Sequence, residues 1–379
     1  MLLIKNALTY APNFLGKKDI LIVHGKIAAI ENGIDLPTLN CQVWDAQGKI
    51  ITPGFIDQHI HITGAGGKHG FGSMTPEIAC SELVQTGSTT VVGLLGTDGA
   101  TRSIKSLFAK TKALTSEGLS AYMFTGFYGL EPTFITNSLQ DDMMFIEPVL
   151  GCKVAISDIR SDYPTDLELV RLLRQVLVGG MLANKKGILH LHLGNLDSKM
   201  DCLFRLVNDY QFPITHISPT HVGRTKALFE EAIQFALLGG SIDITTGASK
   251  YTEPYQSVLY ALDKGVSDNL LTFSSDGNAG LDKLDENKKL IGFRKAPINQ
   301  NYLQFRELSN TGGLPIEVAL KPITSNPARN LGLKNKGIIA VGADADFCAL
   351  TEDLTLTDVI ARGQIMMEDS EVKVKGHFE

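Results

Sequence analysis

Between about residues 51 and 276, eight short apolar runs alternate with stretches of helical period, and few folds accommodate that alternation. The runs are ITPGFIDQHIH (51–61), TTVVGLLGT (89–97), SAYMFTGF (120–127), CKVAISD (152–158), GILHLHLG (187–194), FPITHISPT (212–220), SIDITTG (241–247) and LLTFSSD (270–276). Between them lie segments such as TPEIACSELVQTG, TDLELVRLLRQVLVGG, TKALFEEAIQFALLGG and YQSVLYALDKG, several ending in the glycine that stops a helix. Eight strands separated by helices predict an α/β fold, a closed (β/α)8 TIM-like barrel. An open doubly wound sheet is the competing arrangement. It would carry a GxGxxG turn after its first strand, and none is present.

The chain ends read differently. Residues 1–52 hold short alternating runs with no good helix, and residues 337–379 are again strand-rich, as in GIIAVGADADFCAL. Pairing of both ends into one small β-sandwich domain, around a barrel spanning 53–336, is the expected organisation. A hydrophobic content of 44% and a charged content of 20% are those of an ordinary globular protein. The formal charge of −6 speaks against a nucleic-acid partner, which selects a basic face. Five scattered cysteines without a CxxC pair argue against a disulfide framework or thiolate zinc site. The start MLLIKNALTY lacks the features of a signal peptide, and no run of about eighteen apolar residues suggests a membrane span. A cytoplasmic protein without membrane contact is expected.

The chemistry begins with His59 and His61. Residues i and i+2 of a strand point to one face, so both imidazoles share a side and could grip one metal ion. Two histidines hydrogen-bonded in a barrel core fit that spacing equally well. Ligand-type residues recur, however, at the ends of later strands, where barrel active sites lie: His192, His221 and Asp276. Imidazole and carboxylate suit zinc and similar divalent ions. Lys153 stands in the otherwise apolar run CKVAIS, where an ammonium is costly unless paired or chemically altered. It is either salt-bridged to an acid or converted by carbon dioxide to a carbamate that bridges two metals.

That arrangement resembles the amidohydrolase superfamily along nearly the whole chain, through PGFIDQHIH, Lys153, SSDGN, TSNPARNLGL and GIIAVGADADF. FIDQHIH, GSTTVVGLLGTD, KVAISDIRS, PTHVGR and TFSSDGN are most similar to its isoaspartyl dipeptidase (β-aspartyl peptidase) family. The resemblance implies a metallo-dipeptidase, an omega-peptidase, with two Zn²⁺ per subunit held by His59, His61, His192, His221, Asp276 and Lys153 as N6-carboxylysine. It selects His192 and His221 over His190 and His216, which then become buried, hydrogen-bonded side chains. Asp276 would take and return the proton, and Tyr128 would stabilise the oxyanion. Arg160 and Arg224 would hold the free α-carboxylate of an isoaspartyl residue, as paired guanidinium forks do well. Thr97 and the backbone of Gly66 would complete the contacts. The implied partner is a small anionic dipeptide-like substrate, and the implied assembly a homo-oligomer such as an octamer built from dimers.

Two positions depart from the family pattern. Lys68 stands where the family carries a glutamate for the substrate's α-ammonium, and Gly280 where it carries a serine. A lysine facing that ammonium at ~4 Å costs about 4 kcal/mol at an effective dielectric near 20. Either Lys68 turns outward while Asp282 or Asp285 takes over, or the substrate lacks a free ammonium. The second case describes a cyclic amide or an N-acylated amino acid. A barrel that has lost catalysis and serves as a scaffold is a third reading, opposed by the six ligand-type positions, all of which are retained.

Overall fold

The computed structural model describes residues 1–36, 40–130, 133–248 and 250–379, whose strands form three sheets. One contains eight strands: β1 (Phe55–Ile60), β2 (Ser88–Gly93), β3 (Ser120–Gly126), β4 (Val149–Ile156), β5 (Ile188–Leu193), β6 (Ile217–Thr220), β7 (Ile242–Thr245) and β8 (Leu271–Ser274). They pair in chain order, each pair parallel. The chain after β8 returns to β1: Asp276 N donates to His59 O at 3.1 Å, and His61 N donates to Gly277 O at 3.0 Å. This is the expected barrel. Parallel strands sandwiched between helices and interior are buried on both faces, which is why they read as apolar runs. Of the residues in β1–β8, only Tyr122 is less than fully buried.

The intervening segments form the helices that cover the barrel. Asp166–Leu182 begins at a capping box, Glu168 N donating to Thr165 Oγ1 while Glu168 accepts from Thr165 N at 2.8 Å. It buries Leu169, Leu172, Leu173 and Val176. In FPITHISPT, only Ile217–Thr220 is strand; Ile214–His216 is a 3-10 turn behind Pro213, and His216 Nδ1 meets Gly187 O at 2.8 Å. Ser325–Leu331, from SNPARNL, sends Asn330 into the barrel interior, where its amide donates to Gln58 Oε1 and reaches Ser218 Oγ, both at 3.0 Å.

The second sheet has nine strands drawn from residues 2–53 and 347–372. Its core includes Ile4, Ile20, Ile22, Trp44, Phe347 and Ile360. The apolar run 51–61 divides at Gly54: Ile50–Pro53 pairs antiparallel with Phe347–Leu350, and Phe55 opens β1. A Cβ at Gly54 would overlap the Thr89 side chain, so the two elements can join this closely only through glycine. The third sheet is a hairpin, Gly280–Leu284 against Leu290–Lys295, rising beside the barrel mouth. Among the described residues no helix is long and apolar enough to cross a membrane.

Candidate active site

The six ligand-type residues gather at the C-terminal mouth of the barrel. His59 lies in β1 and His61 one residue beyond it; Lys153 lies in β4 and His192 in β5; His221 directly follows β6, and Asp276 follows β8 by two residues. All six are buried. His221 and Asp276 adopt left-handed backbone conformations, φ 65° and φ 49°. Such conformations are uncommon outside glycine and concentrate at functional positions, where surrounding structure holds them.

His59, His221 and Asp276 each offer a ligand atom within 4.8 Å of the others. Asp276 Oδ1 lies 3.1 Å from His61 Nε2 and 3.4 Å from His59 Nε2, which ties the fourth residue to the same point. His192 stands beside this group, its ring centroid 4.5 Å from that of His221, but its Nε2 turns to Asp158 Oδ2 at 3.0 Å. Lys153 Nζ donates to Leu95 O and lies 4.6 Å from the centre of the Tyr128 ring.

Partners from outside the cluster orient its rings. His221 Nδ1 lies 2.6 Å from Thr245 Oγ1, and His59 Nδ1 lies 2.8 Å from His190 Nε2. His190 continues through Nδ1 to Ser218 Oγ at 3.2 Å and stacks on Phe124. With Nδ1 engaged in this way, His59 and His221 turn Nε2 inward, and both Nε2 atoms are buried without a hydrogen-bond partner, as is His61 Nδ1. In folded proteins buried polar nitrogens are nearly always hydrogen-bonded, and an inward lone pair fixed by a hydrogen bond at the far ring nitrogen is the arrangement of metal-binding histidines. The donor set therefore fits a divalent ion.

Burial governs the electrostatics. It lowers the imidazole of His59 to about 4 and holds those of His190, His192 and His221 well below their ordinary value. Burial also pushes the Lys153 ammonium down to about 7, Asp276 opposing the shift and Arg160 and Arg224 adding to it. For Asp276, burial works against ionisation, but His221, His59 and His61 outweigh it and keep the carboxyl well below the usual carboxylate range. Tyr128 is raised by burial and stays a phenol.

Above the cluster opens a cavity of about 560 Å³. All seven positions expected from the resemblance to meet substrate line it: Gly66, Lys68, Thr97, Tyr128, Arg160, Arg224 and Gly280. The Tyr128 hydroxyl is 3.0 Å from His192 Nε2. Lys68 Nζ is 2.5 Å from Asp282 Oδ2, its side chain 72% exposed. Asp285 accepts backbone N–H groups of Asn287 and Lys289 in its own hairpin turn and does not join the site. Gly280 has a steric reason: a Cβ there would lie 2.8 Å from Gly66 Cα, so this chain has no room for the family's serine.

Sequence reasoning overlooked Asp158. Its carboxylate accepts from Arg160 Nε at 2.9 Å and Nη2 at 2.7 Å, and meets His192. Thus one fork of Arg160 is already engaged, whereas Arg224 Nε is buried with no partner. Asp158 stands in SDIRS two residues before Arg160, a spacing that could have drawn attention to a paired carboxylate. Thr245, on a strand with no other site residue, left no signal.

Similarity to known proteins agrees with this geometry. The amidohydrolase family profile matches residues 183–366. A crystal structure of β-aspartyl dipeptidase from the thermophilic keratin-degrading Fervidobacterium islandicum AW-1, in complex with β-Asp-Leu dipeptide, superposes with a TM-score of 0.92; it is 38% identical, over 98% of this chain and 97% of that one. A D-hydantoinase structure shares the fold, with a TM-score of 0.68 at 16% identity. The dihydroorotase of Sulfurihydrogenibium sp. (strain YO3AOP1) is 48% identical, but the match spans only 68 residues, 16% of that protein's length. The dihydroorotase of Lactobacillus leichmannii is 24% identical across 96% of this chain. At 38% identity over almost the full length of both chains, with the same barrel, this chain is a hydrolase of the amidohydrolase superfamily and belongs to its isoaspartyl (β-aspartyl) dipeptidase family.

Proposed function

We propose that the chain is a binuclear zinc hydrolase that cleaves the isopeptide (β-aspartyl) bond of isoaspartyl dipeptides. The observation that carries this reading is the set of inward-facing, unpartnered imidazole nitrogens around Asp276, beneath a cavity whose wall bears Arg160 and Arg224. His59, His61, His192, His221, Asp276 and Lys153 would hold the two ions. When bound, the pair of ions supplies Lewis acidity and makes water a nucleophile near neutral pH.

Lys153 is suited to carbamate formation. An amine with a pKa of about 7 is neutral in a large fraction of molecules at pH 7. Its nitrogen lone pair would form a bond to the carbon of carbon dioxide with loss of one proton from nitrogen, and the resulting anion would be favoured by Arg160 and Arg224.

Arg224, with the remaining N–H groups of Arg160, binds the free α-carboxylate of the isoaspartyl residue and so places the side-chain carbonyl over the cluster. Water adds to that carbonyl carbon while Asp276, kept ionised by its neighbours, takes the proton. The Tyr128 phenol donates a hydrogen bond to the carbonyl oxygen as charge develops there. Asp276 then passes the proton to the departing amine as the C–N bond breaks. An ordinary peptide lacks a carboxylate at the corresponding place, which gives the arginines their selectivity.

The purified protein with two zinc ions should cleave β-Asp-Leu and spare α-Asp-Leu. Cleavage of neither, with both ions bound, would remove this reading. Lys68 on the cavity wall favours one alternative, an amide substrate without a free ammonium, such as a cyclic amide or an N-acylated amino acid. A screen pairing each β-aspartyl dipeptide with its N-acetyl form separates the two.

A further inference from the structure

Lys68 lies on the glycine loop after β1, while Arg160 and Arg224 follow β4 and β6. In a barrel of eight strands, β4 and β6 flank β5, which lies across the mouth from β1. The cavity therefore has cations on opposite walls, and Lys68 is the one not committed to holding a carboxylate of the substrate.

The structure restrains Lys68. Its Nζ is 2.5 Å from Asp282 Oδ2, and His69 Nε2 is 3.0 Å from Asp282 Oδ1, so two adjacent loop residues converge on one carboxylate of the hairpin. Leu281, the neighbour of Asp282, lines the cavity. The backbones set this meeting: Gly280 of the hairpin nearly touches Gly66 of the loop, and the His69 ring lies 5.4 Å from that of Phe293 on the other hairpin strand. Asp282 itself is held below its ordinary pKa, chiefly by Lys68, and remains an anion.

An isoaspartyl substrate carries its α-ammonium on the same carbon as the carboxylate bound by the arginines. A lysine free to swing over that carbon would repel it, whereas one anchored at the rim and paired with an anion would not.

We propose that Asp282 is a positioning residue for substrate charge: by anchoring Lys68 to the hairpin, it admits substrates with a free α-ammonium. This inference rests on the dipeptidase reading above. It assigns Asp282 no contact with substrate and no part in the chemistry.

The test measures kcat and KM for β-Asp-Leu and N-acetyl-β-Asp-Leu with the zinc-loaded full chain, as the parent, Asp282→Asn, Lys68→Gln and the double variant. Asp282→Asn should raise KM for β-Asp-Leu roughly tenfold and leave that for the acetylated compound within about twofold, with kcat little changed, as expected for releasing one like charge. The double variant should match Lys68→Gln alone in KM for β-Asp-Leu, because removing Asp282 costs nothing once position 68 carries no ammonium. An equal KM rise for both compounds, or a rise that persists in the double variant, would overturn the inference and leave the dipeptidase reading standing. Cleavage of only the acetylated compound by the parent would also overturn it, because Lys68 would then exclude the ammonium despite Asp282. Cleavage of neither compound by the parent would remove the dipeptidase reading and this inference with it.

Discussion

His221 Nδ1 lies 2.6 Å from the Thr245 hydroxyl, a hydrogen bond that links the end of β6 to the end of β7. With Nδ1 engaged there, Nε2 is the ring nitrogen left without a partner, and a metal held at Nε2 would require Nδ1 to be the donor. Thr245→Val keeps the shape and removes the hydroxyl partner. Metal affinity should fall about 10- to 100-fold, read by chelator competition. Unchanged affinity would mean that His221 does not hold the metal.

Lys153 should be indispensable as an anion and unhelpful as a cation. Lys153→Ala should reduce kcat/KM by roughly 10³-fold, equivalent to about 4 kcal/mol, with partial rescue by short carboxylic acids. Full activity in the alanine variant would exclude a bridging carbamate. Metal-free protein in buffer stripped of carbon dioxide offers a second measurement. The folded pKa of about 7 lies below the unfolded value near 10.5, so between them the unfolded chain binds a proton that the folded one does not. Stability should therefore rise with pH across that window by about 1.4 kcal/mol per unit from this group. The slope should lessen by that amount in Lys153→Met.

The buried histidines predict acid sensitivity of the metal-free protein. His59, His190, His192 and His221 are all lowered, so below about pH 6.5 the unfolded chain takes up protons that the folded chain refuses. Unfolding free energy should fall as pH drops from 6.5 towards 4, by up to about 1.4 kcal/mol per unit for each histidine. Denaturant titrations at half-unit intervals measure the slope; a flat profile would show these imidazoles already protonated in the fold.

Tyr128 is raised by burial and sits 3.0 Å from His192 Nε2, a donor at every working pH. Tyr128→Phe should lower kcat about 10²-fold with little change in KM, as expected for one oxyanion donor. A loss confined to KM would assign the phenol to ground-state binding.

Arg224 has a buried Nε without a partner, while Arg160 is half committed to Asp158. Arg224→Met should raise KM for β-Asp-Leu by roughly 10- to 100-fold, the measure of a lost charged hydrogen bond at about 1.5–3 kcal/mol. The same change in Arg160 should also disturb Asp158 and, through it, His192. A fall in metal content in the Arg160 variant alone would reveal that linkage.

Much of this protein was legible in the amino-acid order because its signals are local. The apolar runs of β1 to β8 are the direct record of strands buried on both faces, and HIH, HLH, SPTH and SSD carry their site residues at or just past strand ends. Backbone alternation alone puts His59 and His61 on one side. Tertiary structure decided what depends on contacts between distant segments: the break of run 51–61 at Gly54, the meeting of His221 Nδ1 with a hydroxyl on the next strand, and the turn of His192 Nε2 to Asp158. It also placed Asp282 against Lys68 across 214 residues, turning a lysine that reads as misplaced into half of an ion pair. Periodicity reports which face a residue occupies. Which atom of that residue is free to act depends on hydrogen bonds and charges that arrive from elsewhere in the chain.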